Sequence, residues 1–393
     1  MKLLTGLIMW KNLKMRWPSN SKASFLLFAV FWIYIVLATT TIVKTRSTAD
    51  NLAAADTDSN LTRTYSISVW KVGARMKRRF LRSFGSKELD PFRFCSVSNC
   101  RLVTNDSEVE RSDAVMFHLH LLEDLKANLP KRPNPEQLWI FFTDEAPYHT
   151  FMANRALKMK DLNGLFNLSM TYRSDSDIPV PYGRTVVLET PSEEDYASIV
   201  LRKTRNVTIL GSNCGSKNRR WEYVRELQKY IDVNIYGGCG KPACPGHFTR
   251  DCDVIRDYRI YLAFENSNCD EYITEKLWYN AYSKYAIPVV MGGTRENYER
   301  LCPPNSFIHV EDFDSPQTLA DYLSDILSHP DKLLAYHDWR RHYQVLNEHG
   351  YFGSPSLHLC RMCEAIQKPR QPQVLDHLEE WWSVKRDCRK SLF

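Results

Sequence analysis

The 393-residue sequence contains no internal repeat and no low-complexity tract, which excludes repeat architectures and compositionally biased proteins. It also lacks a strong excess of charge of either sign. Its 52 Lys and Arg residues and 46 Asp and Glu residues give a formal net charge of +6, and part of the basic excess lies before residue 25 and in 71–82. This composition gives no argument for a nucleic-acid partner.

Charged residues are also absent from 25–43, an apolar run of nineteen residues that is long enough to cross a bilayer. Five Lys or Arg residues precede this run and only two follow it closely. The positive-inside rule therefore predicts a cytosolic tail at 1–24, a single transmembrane helix at 25–43 and a luminal remainder. A cleaved signal peptide is the alternative, although the sequence has no obvious small-x-small cleavage site. Residues 44–90 are predicted to form an extended stem, because 41–64 is poor in aromatic residues.

Asparagine sequons agree with this luminal location. Candidate N-glycosylation sites of the form N-x-Ser/Thr occur at Asn60, Asn105, Asn167 and Asn206. For Asn167 the alternative is a strand position that sterically excludes a glycan. Together with the predicted anchor, the sequons indicate a single-pass type II protein of the Golgi membrane whose catalytic part is luminal.

The eleven cysteines of a luminal chain are expected to form disulfides rather than to remain thiols. The alternative is a zinc site built from Cys95, Cys100, Cys360 and Cys363. The oxidising compartment and the loose Cys-x4-Cys spacing oppose zinc. Cys214 and Cys239 flank a strand-helix-strand segment and are a candidate pair. The odd total leaves at least one cysteine unpaired within a monomer.

Strand-like apolar runs alternate with helical patterns after the stem, which is typical of α/β proteins with parallel sheets covered by helices. The predicted strands are 114–118, 138–142, 186–188, 207–210, 233–236, 261–264, 287–291 and 307–310. Ser315 and Pro316 supply an N-cap and an N1 proline for a helix that ends near Ser328. About 300 residues follow the stem, which is enough for two domains.

The segment 259–293 carries the most chemical information. It reads as a buried strand at 260–264, a helix at 272–284 and a second strand at 286–291. In such a βαβ unit, ligands bind beyond the carboxyl ends of the strands. Lys276 lies near the start of the helix, where its charge opposes the helix dipole unless an anionic ligand binds there. The alternative is that Lys276 points into solvent.

The motif FENSNCDEYITEK, followed by IPVVMGG, resembles the nucleotide-sugar signature of the α-1,3-fucosyltransferases, glycosyltransferase family ten. The similarity extends through SNCGSKNRRWEYVRELQKYIDVNIYGGCG at 212–240 and FNLSMTYRSDSDIPVPYG at 166–183, and more faintly to TDEAPYH at 143–149. The parts SNCGSKNRR and NIYGGCG look closer to the invertebrate and plant enzymes that fucosylate the N-glycan core than to Lewis-antigen enzymes.

The resemblance implies an α/β fold of the GT-B type, in which two Rossmann-like domains face one another across a cleft. Residues 91–200 would present the acceptor and the catalytic base, and 201–358 would bind GDP-fucose. The segment 359–393 would be tied back to the N-terminal domain. In fucosyltransferases a similar C-terminal Cys-x-x-Cys is bonded to two N-terminal cysteines, which implies bonds from Cys360 and Cys363 to Cys95 and Cys100.

The implied reaction needs positive charge beside the departing diphosphate, and Lys276 and Arg220 are the candidates. Arg220 opens a predicted helix, and an arginine can bind two phosphate oxygens at once. Its neighbour Arg219 is the alternative. The resemblance also places Tyr272 and Glu275 against the guanosine and its ribose.

Two further carboxylates belong to this interpretation. Glu265 would lie near the fucose, or would instead hold backbone amides of its own loop. Glu145 follows the strand 138–142 and precedes Ala146 and Pro147, so it lies at the carboxyl rim of that strand. Glu-Ala-Pro here resembles the family's Glu-Ser-Pro, whose glutamate is the proposed general base.

Asp144 and His149 are rivals for the role of the base. A single base without a carboxylate nucleophile implies inversion, from β-linked GDP-fucose to an α-fucoside. The resemblance to the N-glycan core enzymes implies the 3-hydroxyl of GlcNAc in that core as the acceptor. Lewis-type fucosylation of N-acetyllactosamine antennae is the alternative. A membrane-anchored glycan-binding protein without turnover is a more distant one.

Asp175 and Asp177 resemble the DxD metal motif of GT-A glycosyltransferases, which would bind manganese against the diphosphate. The same Asp-Ser-Asp lies within the family's own TYRSDSDIPVPYG block, and Arg220 and Lys276 already supply positive charge. We therefore expect no metal site and no obligatory cofactor, with Mn²⁺ or Mg²⁺ at most stimulating diphosphate release. The expected partners are GDP-fucose, an N-glycan acceptor on glycoproteins and the membrane.

Overall fold

The computed structural model describes residues 63–71, 90–123, 125, 129–242, 244, 250–350, 354–371 and 373–391. No helix in these ranges is both long and apolar enough to span a membrane. The predicted tail 1–24, the predicted anchor 25–43 and the sequon at Asn60 lie outside the described residues. Backbone contacts group Thr64–Phe393 into one unit.

The first sheet consists of six parallel strands: β1 Tyr65–Val69, β2 Cys100–Val103, β3 Ala114–His118, β4 Leu138–Phe142, β5 Leu168–Thr171 and β6 Ile178–Pro179. Their order across the sheet is β2-β1-β3-β4-β5-β6. Strands β3 and β4, AVMFH and LWIFF, are continuous apolar runs, as expected for a parallel sheet that is covered on both faces. These two strands confirm the predictions at 114–118 and 138–142.

The predicted stem, 44–90, is wrong at 65–69. Strand β1, YSISV, lies between β2 and β3 and pairs in parallel with both. Its Ile67 and Val69 are buried in the core. The strand was missed because serines alternate with only two aliphatic residues, so its short apolar pattern resembles the polar segment before it.

The second sheet consists of five parallel strands: β8 Arg205–Leu210, β9 Val233–Tyr236, β10 Tyr258–Phe264, β11 Ile287–Met291 and β12 Ile308–His309. Their order is β12-β11-β10-β8-β9. From β8 the chain adds β9 on one side and β10 on the other, so the strand order reverses between β8 and β10. Open α/β sheets bind ligands beyond the carboxyl ends of the strands at such a reversal.

A third, two-stranded sheet pairs β7 Gly183–Val187 with β13 Tyr343–Asn347 in antiparallel register. The strand predicted at 186–188 belongs here and not to a parallel sheet. Its pattern is only partly buried, since Val187 is exposed. The main chain therefore runs from the first sheet through β7 to the second, and returns beside β7 after the second sheet is complete.

Eight α-helices lie within the described ranges: α1 Tyr196–Leu201, α2 Arg220–Leu227, α3 Arg295–Leu301, α4 Pro316–Ser328, α5 Pro330–Ala335, α6 His358–Ile366, α7 Leu378–Trp381 and α8 Val384–Asp387. The 3-10 segments are Asp106–Arg111, Leu119–Leu121, Pro147–His149, Met159–Leu162, Asp253–Asp257, Tyr282–Lys284, Val310–Asp312 and Asp338–Arg341. The predicted start of α4 is confirmed, because the Ser315 side chain accepts a hydrogen bond from the Thr318 N–H.

The helix predicted at 272–284 is different in the structure. It begins at Lys276 with the π-helix Lys276–Ala281 and ends in the 3-10 turn Tyr282–Lys284. The preceding Thr274 donates its backbone N–H to the buried carboxylate of Glu265 at 2.8 Å, so this part of the loop is held outside the helix. Short π-helical segments are often found at functional sites.

Five disulfides connect the described cysteines: Cys95–Cys360, Cys100–Cys363, Cys214–Cys239, Cys244–Cys252 and Cys269–Cys388. The first two join α6 to residues at and before β2, as the resemblance implied, and the third joins the pair suggested by the sequence. No zinc site can form from cysteines that are bonded in this way. Cys302 is a buried free thiol.

At Asn167 the structure favours the alternative, in which the fold excludes a glycan. Asn167 is 8% exposed, and its side-chain oxygen Oδ1 accepts hydrogen bonds from the Arg132 guanidinium and from the Trp139 backbone N–H. Its amide nitrogen donates to the backbone of Gln373. Asn105 and Asn206 are exposed, and glycosylation there stays a prediction.

Candidate active site

A cavity of about 450 Å³ lies beyond the carboxyl ends of β8 and β10, where the strand order of the second sheet reverses. Five of the six predicted site residues line it: Glu145, Arg220, Tyr272, Glu275 and Lys276. Glu145 follows strand β4 of the first sheet. Arg220 follows β8 of the second sheet, and the other three residues follow β10. The sequence prediction therefore selected residues that the fold brings together.

Arg220 is the first residue of α2 and is only 2% exposed. Its guanidinium donates one hydrogen bond to the Phe264 carbonyl at 2.7 Å and one to the Asn213 carbonyl at 2.9 Å. Burial lowers the pKa of Arg220, and the carboxylate of Glu265 opposes that shift. A guanidinium stays protonated despite such shifts, so Arg220 supplies a fixed positive charge at the cavity wall. Its neighbour Arg219 is exposed and pairs with Glu222 instead.

Lys276 is the first residue of the π-helix, and its Nζ lies 2.9 Å from Oε2 of Glu265 and 3.5 Å from Oε1 of Glu275. Burial lowers the pKa of Lys276, but these two carboxylates more than offset it, so that the pKa is raised. Lys276 therefore does not point freely into solvent. Its unfavourable position at a helix start is compensated by two negative side chains of the protein itself.

Glu265 does not line the cavity and is fully buried beneath Lys276. Its carboxylate accepts hydrogen bonds from the backbone and the hydroxyl of Thr274 and from Nζ of Lys276. Burial raises the pKa of Glu265, and the charge of Lys276 opposes that rise. This is the arrangement of the alternative interpretation, in which Glu265 holds its own loop.

A hydrogen bond crosses the cavity between the two parallel sheets. Tyr272, 1% exposed, donates its hydroxyl to Oε2 of Glu145 at 2.9 Å. Burial and the charge of Glu145 raise the pKa of Tyr272 well above its ordinary value, so its hydroxyl keeps the proton that it donates. The carboxylate of Glu145 is thereby held at the cavity wall by Tyr272.

The rivals of Glu145 have different surroundings. Asp144 and His149 are not among the described residues that line this cavity. Asp144 is 1% exposed and accepts hydrogen bonds from imidazole nitrogens. Burial lowers the pKa of His149, with Glu145 opposing the shift. Glu145 is thus the one candidate of the three with access to a ligand in the cavity.

The acidic pair Asp175 and Asp177 is engaged elsewhere. Asp175 pairs with Arg173, and Asp177 accepts hydrogen bonds from the backbone and hydroxyl of Ser169. Neither lines the cavity. The ligand atoms of His118, His120 and Asp144 lie within 4.8 Å of one another, a spacing that could hold a metal ion.

Two contributors to the site were missed by sequence reasoning. Tyr182 lines the cavity, and its hydroxyl donates to the backbone carbonyl of Asp144 at 2.8 Å. His349 donates to the Asp144 carboxylate from a position 205 residues further along the chain. The motif that contains Tyr182 belonged to the family resemblance, whereas no local pattern marks His349.

Comparison with known proteins shows the family of the chain. Residues 200–381 match the C-terminal part of glycosyltransferase family 10 (fucosyltransferase), and residues 62–183 match the fucosyltransferase N-terminal family. The chain therefore belongs to the fucosyltransferases of glycosyltransferase family 10. This membership confirms the resemblance and the enzyme class predicted from the sequence.

Individual relatives differ in the acceptor for which they are named. The chain is 36% identical over 302 residues to glycoprotein 3-alpha-L-fucosyltransferase A of Drosophila melanogaster, over 75% of this chain and 56% of that relative. It is 36% identical over 288 residues to a 3-galactosyl-N-acetylglucosaminide 4-alpha-L-fucosyltransferase of Bos taurus, over 73% of this chain and 75% of that relative. A solved alpha1,3-fucosyltransferase with GDP-fucose superimposes with a TM-score of 0.46 at 17% identity, over 79% of this chain and 93% of that one.

Proposed function

We propose that the protein is an inverting α-1,3-fucosyltransferase that moves L-fucose from GDP-β-L-fucose to the 3-hydroxyl of GlcNAc in the chitobiose core of N-glycans. One observation carries this proposal. The carboxylate of Glu145 lies at the wall of a cavity that also contains the cations Arg220 and Lys276. A base and two cations at the wall of one cavity are what transfer from a sugar nucleotide requires.

The two cations are assigned to the diphosphate. Two guanidinium contacts of Arg220 go to backbone carbonyls, which leaves further N–H donors of its fork for phosphate oxygens. Lys276 already faces Glu265 and the half-buried Glu275. An incoming diphosphate competes with Glu275, whose carboxylate is then available for ribose hydroxyls. Tyr272 closes this donor site on the side of Glu145.

Glu145 is assigned as the general base. Its carboxylate removes the proton of the GlcNAc 3-hydroxyl while that oxygen attacks the anomeric carbon of fucose. The bond from this carbon to the diphosphate oxygen breaks, and GDP leaves with its charge held by Arg220 and Lys276. No second carboxylate is needed as a nucleophile, so the configuration inverts from β to α.

The acceptor is the least constrained part of the proposal. The glycoprotein 3-alpha-L-fucosyltransferase of Drosophila supports the N-glycan core, and the bovine relative supports a galactosyl-GlcNAc acceptor as the alternative. A glycan-binding protein without turnover remains a distant alternative. A protein that only binds glycans would not need a carboxylate in a cavity that also contains two cations.

The same proposal extends to architecture and location. The two parallel sheets on either side of the cavity support a GT-B arrangement, with 91–200 and 201–358 as its domains. The apolar run 25–43 supports a type II anchor in the Golgi membrane with the catalytic part in the lumen. We propose no obligatory metal, with Mn²⁺ or Mg²⁺ at most assisting diphosphate release.

The test combines an acceptor panel with one substitution. Purified luminal protein is incubated with GDP-fucose and with N-glycan core, N-acetyllactosamine or chitobiose acceptors, with and without EDTA. We expect transfer to the core acceptor and a loss of kcat of about a hundredfold or more in Glu145→Gln, with GDP binding within a few-fold. Glu271→Gln is the control, because this carboxylate binds Ser174 and Arg300 and does not line the cavity.

Three results would count against the proposal. Near-wild-type kcat in Glu145→Gln would move the role of the base to another residue. Preference for N-acetyllactosamine would favour the Lewis-type alternative. Binding of all glycans without GDP release would favour the glycan-binding alternative.

A further inference from the structure

A buried cluster of histidines surrounds the carboxylate next to the proposed base. His118, at the end of β3, lies with Nε2 3.0 Å from Oδ1 of Asp144. His349, which follows β13, lies with Nε2 3.0 Å from Oδ2 of the same carboxylate. The three residues are between 1% and 2% exposed. Both oxygens of one buried carboxylate are therefore bound by imidazoles from two distant parts of the chain.

His120 lies nearby, with Nδ1 3.2 Å from Oδ1 of Asp144 but in no hydrogen bond within the described residues. A hydrogen bond to its backbone fixes Asp144 further. Tyr182 donates its hydroxyl to the backbone carbonyl of Asp144 at 2.8 Å, and its ring stacks on His349 with centroids 3.5 Å apart. Asp144 is thus held through its side chain and its backbone together.

The chain is fixed on the other side of Glu145 as well. Ala146 is fully buried, and the ring of Pro147 restricts its own backbone and that of the residue before it. The His149 N–H donates to the Ala146 carbonyl at 2.7 Å. Glu145 therefore lies between two immobilised residues, and its carboxylate alone reaches the cavity.

We infer that Asp144, held by His118 and His349, is a positioning residue that sets the place of the Glu145 carboxylate relative to the acceptor hydroxyl. This inference rests on the proposed role of Glu145 as the base. A general base acts only when its oxygen lies within hydrogen-bond reach of the proton that it removes. A misplacement of about 1 Å can lower the rate about a hundredfold. A buried carboxylate is costly unless its oxygens are paired, and here imidazoles bind both oxygens of the Asp144 carboxylate, directly beside the base.

The effect should be confined to the chemical step. Glu145 faces the acceptor, whereas GDP is bound by residues of the second half, so loss of the Asp144 contacts should leave donor binding intact. We expect Asp144→Asn to lower kcat about tenfold or more, with KM for GDP-fucose and Kd for GDP within about twofold. An amide cannot accept from both imidazoles, because one of its two terminal atoms is a donor.

His349 offers a pair of variants that separates the hydrogen bond from the packing. His349→Phe keeps a ring over Tyr182 but loses the N–H donor, and we expect it to lower kcat about tenfold. His349→Gln keeps an amide donor near the position of Nε2, and we expect kcat within about threefold of the wild type. The two variants also keep the inference testable if Asp144→Asn does not fold.

Asp113→Asn is the matched control. Asp113 precedes β3 at the opposite end of the same sheet and accepts hydrogen bonds from the backbone and the hydroxyl of Ser66, both at 2.7 Å. We expect this variant to lose stability but to keep kcat per folded molecule. An equal loss of kcat in Asp113→Asn would show that any weakening of the sheet lowers activity, and would overturn the inference.

The remaining outcomes separate this inference from the proposed function. If Glu145→Gln loses kcat while Asp144→Asn and His349→Phe retain it, the positioning role is wrong and the base is right. If Asp144→Asn loses kcat while Glu145→Gln retains it, Asp144 itself takes the proton and the positioning role is again wrong. If kcat and GDP affinity fall together in Asp144→Asn, the cluster supports the whole site and not the base alone.

Discussion

Replacement of Lys276 by methionine tests the donor site most directly, because the structure predicts two separate consequences. Lys276→Met keeps the apolar stem and removes the ammonium group, which lies 2.9 Å from the fully buried Glu265 carboxylate. Removing one partner of a buried ion pair costs about 3–5 kcal/mol of folding free energy. The pKa of Glu265, already raised by burial, should rise further, and a proton taken up there should reduce part of this cost.

The loss in catalysis has a different origin. A positioned group that stabilises charge developing in the transition state contributes about 2.7–4 kcal/mol, or about 10²–10³ in kcat. Without a ligand, the charge of Lys276 is partly balanced by its ion pairs with Glu265 and Glu275. We therefore expect the lower end of that range, about a hundredfold, together with weaker GDP binding by calorimetry.

A double variant separates the two consequences. Lys276→Met combined with Glu265→Gln removes both buried charges together, which proteins tolerate better than an unpaired charge. Urea unfolding should show that the double variant recovers most of the lost stability, while kcat stays low. Lys284→Met is the control. Nζ of Lys284 lies 2.6 Å from Oδ1 of Asp251 in a buried ion pair, and neither residue lines the cavity. This variant should lose stability but keep kcat per folded molecule. Recovery of kcat in the double variant would refute our reasoning, because it would reduce Lys276 to a counter-ion of Glu265.

Two further predictions concern the fold. A secreted chain that begins at Arg63 should be folded and active, whereas one that begins at Asp90 lacks β1 and should aggregate, because β2 and β3 would lose their shared neighbour. Size-exclusion chromatography and transfer assays measure this, and an active, monomeric chain from Asp90 would contradict it. Burial, reinforced by Arg340, holds the pKa of His337 well below its usual range. Below about pH 6.5, His337 is protonated in the unfolded chain but stays neutral in the folded chain. The free energy of unfolding should therefore decrease as the pH is lowered, by up to about 1.4 kcal/mol per pH unit. Urea unfolding between pH 7 and pH 5 should show a shallower fall for His337→Gln, and an unchanged slope would contradict this assignment.

The sequence predicted the parts of the fold that have strong local patterns. Strands β3, β4, β9 and β11 were predicted with their observed boundaries. Three of them, β3, β4 and β11, are apolar runs that a parallel sheet buries. Strands β1, β2, β5 and β6 contain serine, threonine, arginine or proline and carry little such signal. Their apolar side chains favour a strand only through packing against neighbouring strands, which the local sequence does not show.

The candidate site was predicted to a similar extent. Residues that follow strands, such as Glu145 and Arg220, could be located because the carboxyl ends of parallel strands meet at one edge of a sheet. The contacts of Glu265 could not be predicted, since its two proposed roles differ only in which way the side chain points. His349 and the Cys269–Cys388 disulfide depend on long-range packing, which no local pattern encodes.

The charge balance around Lys276 differs from the one that the sequence suggested. The helix-dipole argument required a negative group near Lys276, and the sequence suggested that a ligand would supply it. The structure supplies Glu265 and Glu275 instead. Glu265 is fully buried, while the Glu275 side chain is 24% exposed. On the proposed function, we therefore expect a diphosphate to compete with Glu275 for Lys276 while Glu265 keeps Lys276 in place.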